Sequence, residues 1–307
     1  MNRNRYENLN IKGTVLDNEQ LAAYAEKIAS DHSLIKTSNK VTYPVPSLEE
    51  NFKVIYEVYQ LLNRDIKLGI NIHPAGEWIL DNFYVIEEVV KTIRKDLDLK
   101  KYRELPGIGN GIYKGFSRVF VVASELVAYT DCKIDEITLG TFLGAYQKRK
   151  TLTMEEIWSI PLFIEIALIG QIRMICEKIY VAQIQKYKVE NMIERLVENK
   201  QSSDQIFQSN SKMKNDMISY KKEMKYPFIE YMSYRLKQYG KQSYPYLKIL
   251  EEQVEKTGVT VSEVIQKEHF DVATKKVLMG NSNTSIKNIP RINFCLLYTS
   301  PQWGVVM

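Results

Sequence analysis

From Met154 to about Lys200 the sequence keeps a helical apolar period throughout, and no other feature constrains the fold as much. At 1.5 Å per residue such a helix spans roughly 70 Å if unbroken. Pro161 falls near its start, where a bend is expected. Between Ile157 and Ala182 apolar residues cover more than half of the helical circumference, so this part must be surrounded by other helices. Beyond Gln183 the pattern becomes amphipathic and charged, as for a helix that packs by one face only. The most apolar stretch, Ile157 to Ile169, carries Glu165 and is shorter than the roughly 20 residues a membrane span needs. It therefore reads as a buried helix of a soluble bundle, with no direct membrane span in this stretch of chain.

A central helix needs partners, and the remaining sequence supplies them. Helices are expected at 18–31, about 48–68, about 75–97, 116–130 and 135–148. The second places Leu48, Phe52, Ile55, Tyr59, Leu62 and Ile66 on one face and stops at Gly69; the third does the same with Ile79, Phe83, Ile86, Val90, Ile93 and Leu97. Pro44 and Pro46 mark a loop before the second helix. Three starts read as capping boxes, in which a hydroxyl and a Glu three residues on satisfy free backbone donors: Ser47 to Glu50, Thr153 to Glu156 and Thr260 to Glu263. No sustained run alternates apolar and polar residues. With 45% hydrophobic and 26% charged residues a packed core is attainable. The fold class is all-α: an antiparallel helical bundle around one long central helix, with a smaller C-terminal helical unit. The division is 1–46 for an N-terminal helix and loop, 47–200 for the bundle, 201–224 for a linker, 225–294 for the second unit, and 295–307 for a tail. That tail, opening Cys295-Leu-Leu-Tyr-Thr-Ser300, reads as the translation of a sequencing-library adapter, with the natural protein continuing past Phe294.

Several function classes fall away. A net charge of +5 with no basic stripe interleaved with aromatics argues against nucleic-acid binding. Cys132, Cys176 and Cys295 are odd in number and far apart, which points to a reducing compartment. His32, His73 and His269 are equally scattered, so neither a metal site nor a cofactor is expected. The polar N-terminus lacks a secretory core. Asp96-Leu-Asp98 has the letters of a nucleotide-sugar metal motif but sits at a helix end, and the glycines from Gly107 to Gly111 follow no strand and read as a loop. Tyr226, Tyr231, Tyr234, Tyr239, Tyr244 and Tyr246 suggest core and interface packing before a sugar-stacking platform.

The third helix opens His73-Pro-Ala-Gly-Glu-Trp-Ile-Leu-Asp-Asn-Phe-Tyr84, followed by Val85-Ile-Glu-Glu88. Further along come Arg103-Glu-Leu-Pro106, Asn110-Gly, Gly115-Phe-Ser-Arg-Val119, Tyr146-Gln147, Leu152-Thr153 and Glu156-Ile-Trp-Ser-Ile-Pro161. Near the end stand Met279-Gly-Asn281 and Thr284-Ser285. This collinear set resembles the N-terminal region of the bacterial cyclic β-1,2-glucan synthase family, closely over about 40–200 and loosely over 225–294. The resemblance implies a much larger parent: a membrane-embedded glycosyltransferase using UDP-glucose, a segment that closes or transfers glucan chains, and a phosphorylase-like module of glycoside hydrolase family 94. The family's catalytic groups lie in those later parts, so no catalytic residue is assigned here. The resemblance thus implies a non-catalytic scaffold or docking region on the cytoplasmic side of the membrane, whose partners are the remaining domains of its own chain. A module that itself contacts glucan or UDP-glucose, and a stand-alone interaction protein, are the alternatives.

The third helix also carries the candidate residues. Its core stripe faces one way, and Glu77, Asp81 and Glu88 group on the other. Arg103 and Arg118 are the expected basic partners, in an ion-pair network or a groove that receives another domain. Trp78 and Asn82 can be read as a sugar contact, although a Trp in a first turn more often anchors packing.

Overall fold

The computed structural model describes residues 15–35, 45–198, 225–292 and 294. The linker expected at 201–224, the tail at 295–307 and Pro44 lie outside the described residues. The fold is all-α, an antiparallel helical bundle around the long central helix. The helices are α1 (Asn18–Asp31), α2 (Val45–Lys67), α3 (Pro74–Asp96), α4 (Leu99–Glu104), α5 (Arg118–Tyr129), α6 (Glu136–Gln147), α7 (Met154–Glu198), α8 (Tyr226–Gln238), α9 (Tyr244–Glu255) and α10 (Val261–Asn288). Two strands that the sequence did not announce, β1 (Leu34–Ile35) and β2 (Gly107–Ile108), form an antiparallel pair with Leu34 opposite Ile108 and Ile35 opposite Gly107.

Helix starts follow local chemistry. Thr153 and Glu156 form the expected box, with Thr153 N donating to Glu156 Oε2 at 2.9 Å and Glu156 N to Thr153 Oγ1 at 3.3 Å. Thr260 and Glu263 do the same at 2.7 and 3.2 Å. Ser47 does not cap: α2 has already begun at Val45, so Pro46 falls in the first turn, where its missing N–H costs no hydrogen bond. Asp17 and Asp135 supply two further boxes, closed by Gln20 and Thr138. The helix α7 runs unbroken through Pro161.

The chain divides into two compact units that do not follow chain order. The first comprises 1–64, 78–176 and 277–307, and the second 65–77 and 177–276. In the first unit, α2 and α3 lie antiparallel. Glu49 pairs with Arg94 at 2.6 Å, the Arg94 guanidinium covers the Phe52 ring, and Tyr59 stacks on Phe83 at 4.0 Å. The predicted stripe of α3 is buried from Ile79 to Ile93. That of α2 is buried at Leu48, Ile55 and Leu62, but Ile66 is 52% exposed. The central helix buries Phe163, Ile164, Leu168, Ile169, Ile172 and Cys176 in this unit. In its most apolar window 61% is buried, although by length and composition Met154–Arg195 is long and apolar enough to cross a membrane. The second unit has its own core, in which Val189, Met192 and Ile193 of α7 meet Phe228, Met232 and Leu236 of α8, Leu250 of α9 and Val264 of α10. Within it Tyr187 donates to the buried Asp65, and Gln183 Nε2 donates to Asn71 O at 3.2 Å.

Two predictions come from this packing. A Cβ on Gly109 would stand 2.8 Å from Ile35 Cγ2, on a stiff β-branched side chain. Gly109→Ala should cost about 1–3 kcal/mol in urea unfolding, and adding Ile35→Ala, which removes the obstructing methyl, should shrink the penalty of the glycine change. Burial within the apolar helix, with a smaller contribution from Asp96, pushes the Glu165 carboxyl up to about 7. The folded state then holds a proton that the unfolded chain has released, so this stability is full below about pH 4.5 and lost as pH rises through about 7. Glu165→Gln should remove that slope, gaining up to about 3 kcal/mol over the native protein at pH 8 relative to pH 4; a parallel pH dependence of the two proteins would refute the assignment.

Candidate functional site

The predicted residues do not converge. Glu77, Asp81, Glu88 and Arg103 are all exposed, whereas Arg118 is buried. Glu77 sits in the first turn of α3, where the helix dipole favours an acid. The same helix is capped by His73, whose Nδ1 accepts from Ala75 N at 3.1 Å and whose ring burial holds neutral, its pKa lowered to about 4. Asp98 also proves to be a cap, accepting from Lys100 N at 2.8 Å at the start of α4.

Arg118 pairs not with the carboxylates of α3 but with Glu156. Its Nε donates to Glu156 Oε1 at 2.7 Å and Nη2 to Oε2, while Nη2 also reaches Thr151 O at 3.1 Å. The side chains are 2% and 0% exposed. Arg118 N donates to Pro106 O at 2.7 Å, which ties the start of α5 to the turn before β2. Arg118 also donates to the Tyr146 hydroxyl, which lies 2.9 Å from His32 Nδ1. The hydroxyl thus joins the buried Arg118 guanidinium to the His32 ring. Burial first, then Lys150 and Arg118, lower the His32 pKa to about 4, so the ring is neutral at physiological pH.

Trp78 and Asn82 are engaged with α10. A Cβ on Gly280 would meet the Trp78 ring at 3.5 Å, and Lys287 Nζ donates to Asn82 Oδ1 at 2.7 Å. Next to Gly280, Asn281 Nδ2 donates to Asp131 O at 3.0 Å. Ser285 Oγ donates to Cys132 O at 2.6 Å and accepts from Ile134 N at 2.8 Å. Asp131 and Cys132 both have positive φ, 48° and 62°, so this side-chain clamp holds a turn that L-residues rarely adopt. Burial pushes the Cys132 thiol up to about 12, so it is no nucleophile.

Sequence reasoning missed one concave feature. A cleft of about 330 Å³ opens between α1, the 108–113 segment and α5. Its wall includes Tyr24, Tyr113, Tyr129, Asn110 and His32, with Glu125 at 5% exposure. Glu125 accepts from Tyr24 Oη at 2.6 Å and from Tyr113 Oη. Burial raises its pKa, the Tyr24 hydrogen bond acting against the shift. The signal was weak because Glu125 sits inside an apolar helical run with no neighbouring acid. Among the described residues no three His, Cys, Asp or Glu side chains gather as metal ligands.

The Arg118 pair makes a direct prediction. Arg118→Met strands a buried carboxylate and should cost about 3–5 kcal/mol in urea unfolding, whereas adding Glu156→Gln, which neutralises Glu156 and keeps the Thr153 box, should restore most of it. A double variant as unstable as the single would show that charge compensation is not what the pair supplies.

No protein-family model matches the chain. Among curated proteins it is similar to cyclic beta-(1,2)-glucan synthase NdvB of Rhizobium meliloti (strain 1021), 24% identical over 254 residues. The match takes in 82% of this chain but 9% of that protein, so the chain spans a small part of its relative's length. One alignment over 82% of the chain supports a relation to the cyclic β-(1,2)-glucan synthases.

Proposed function

We propose that this chain is a non-catalytic N-terminal scaffold or docking region of a membrane-associated β-1,2-glucan synthase-like protein, on the cytoplasmic side, where it positions or regulates the glucosyl-transferring domain. The parent would take glucose from UDP-glucose. The observation that carries this reading is what the side chains of the family-like motifs do. Pro106, Arg118, Tyr146, Thr153 and Glu156 meet in one network around the buried Arg118–Glu156 pair, and Trp78, Asn82, Gly280, Asn281 and Ser285 fasten α10. Their polar groups are spent on protein partners, as in a rigid body.

A docking role also needs surface. Tyr226, Tyr234, Tyr239 and Tyr244 on the second unit are 42, 52, 37 and 61% exposed, and Tyr246 alone of that group is buried. Exposed tyrosines at this density suit protein contact, since each offers a rigid ring and a polar tip.

In membranes carrying the full-length protein, Tyr234→Ala with Tyr244→Ala should lower glucan synthesis severalfold while leaving the apparent UDP-glucose affinity unchanged. The isolated chain should show no saturable binding of UDP-glucose or of β-1,2-linked glucooligosaccharide by calorimetry. Saturable binding of either, abolished by Trp78→Ala or Asp81→Asn with the fold intact, would replace the scaffold by a carbohydrate- or nucleotide-sugar-binding module.

A further inference from the structure

The cleft beside Glu125 has a chemistry the scaffold reading does not use. Glu125 is a carboxylate held at 5% exposure, and the groups acting on it are two tyrosine hydroxyls, with no Lys, Arg or His paired to it among the described residues. A buried charge without a counter-charge is costly, and a pair completed from outside recovers that cost. The lining adds a second acid, Asp31, and no Lys or Arg.

The hydrogen-bonding inventory of the wall sharpens this. Tyr24 and Tyr113 have spent their protons on Glu125. The Asn110 amide donates to Asp31 O at 2.7 Å and accepts from Ser33 N at 2.9 Å, so it is engaged on both sides. The lining side chains offer acceptors in the remaining lone pairs of Glu125, the Asp31 carboxylate and the tyrosine oxygens, with the Tyr129 hydroxyl and the His32 ring as groups that can also donate. A phosphate or nucleotide would meet two acids and no base. The rings of Tyr24 and Tyr129, 4.3 Å apart and tilted by 47°, add π surface beside the acid.

We infer that this cleft is a binding site for a small organic cation, a primary amine or quaternary ammonium group seated between Glu125 and the tyrosines of the wall. Carboxylate and aromatic faces together are the pairing that favours such a cation in a partly desolvated site. A volume of about 330 Å³ lies in the range of small-ligand pockets and holds a group of this size. The inference does not rest on the scaffold reading; it stands or falls with the cleft alone.

The test is calorimetric titration of the full 307-residue chain at low ionic strength with choline chloride and with benzylammonium chloride. Methyl β-D-glucopyranoside and potassium chloride serve as neutral and inorganic comparators. At least one amine should bind saturably at up to about 10 mM ligand, with neither comparator doing so. Glu125→Gln should weaken that binding by at least about tenfold. Asp31→Asn, a change at an exposed rim position that does not threaten folding, should weaken it about two- to threefold. Absence of amine binding, binding unchanged in a folded Glu125→Gln or in Asp31→Asn, or binding of the glucoside alone would each overturn the assignment.

Discussion

The first unit depends on one buried ion pair. Arg118 stands at the first position of α5, where the helix dipole disfavours a cation, and Glu156 stands in the first turn of α7, where it favours an anion. Neither charge tolerates burial alone. Together, with Thr151 O, Pro106 O, the Tyr146 hydroxyl and the Thr153 box, they join the starts of two helices to the turn before β2 and to α6. His32 stays neutral first because it is buried and then because a protonated ring would face Lys150 and Arg118.

The same economy describes several residues that carry the family resemblance, whose polar groups bond to other parts of the protein. A side chain that reacts or binds must keep a donor, an acceptor or a lone pair for its ligand. Arg118, Glu156 and Ser285 spend theirs on partners within the protein. The cleft beside Glu125 differs in kind: its acid is desolvated and hydrogen-bonded but not charge-compensated. Exposed tyrosines on the second unit supply contact area of another sort.

Much of the architecture was legible because helices advertise themselves locally. The 3.6-residue stripe on α3 fell where expected, and the boxes at Thr153 and Thr260 formed as read. The errors have equally local causes. Ser47 has the letters of a cap, but the helix starts earlier at Val45. Ile66 continues an apolar stripe, yet at that level the second unit buries Asp65, which accepts from Tyr187. The two-residue strands are too short for any alternation to show, and Gly107 and Gly109 leave room for the Ile35 side chain.

The sequence by itself determined most of the helices and the central apolar helix, because periodicity and caps are written in neighbouring residues. Only the tertiary structure decided the partners of the charges. Arg118 turned from the acids of α3 to Glu156, the last helix returned to residues 131–134 through Ser285, and Glu125 came to rest between tyrosines from two distant segments. Those pairings join positions tens to hundreds of residues apart, and whether a buried charge finds a partner depends on which chain segments the packing of apolar faces brings to its side.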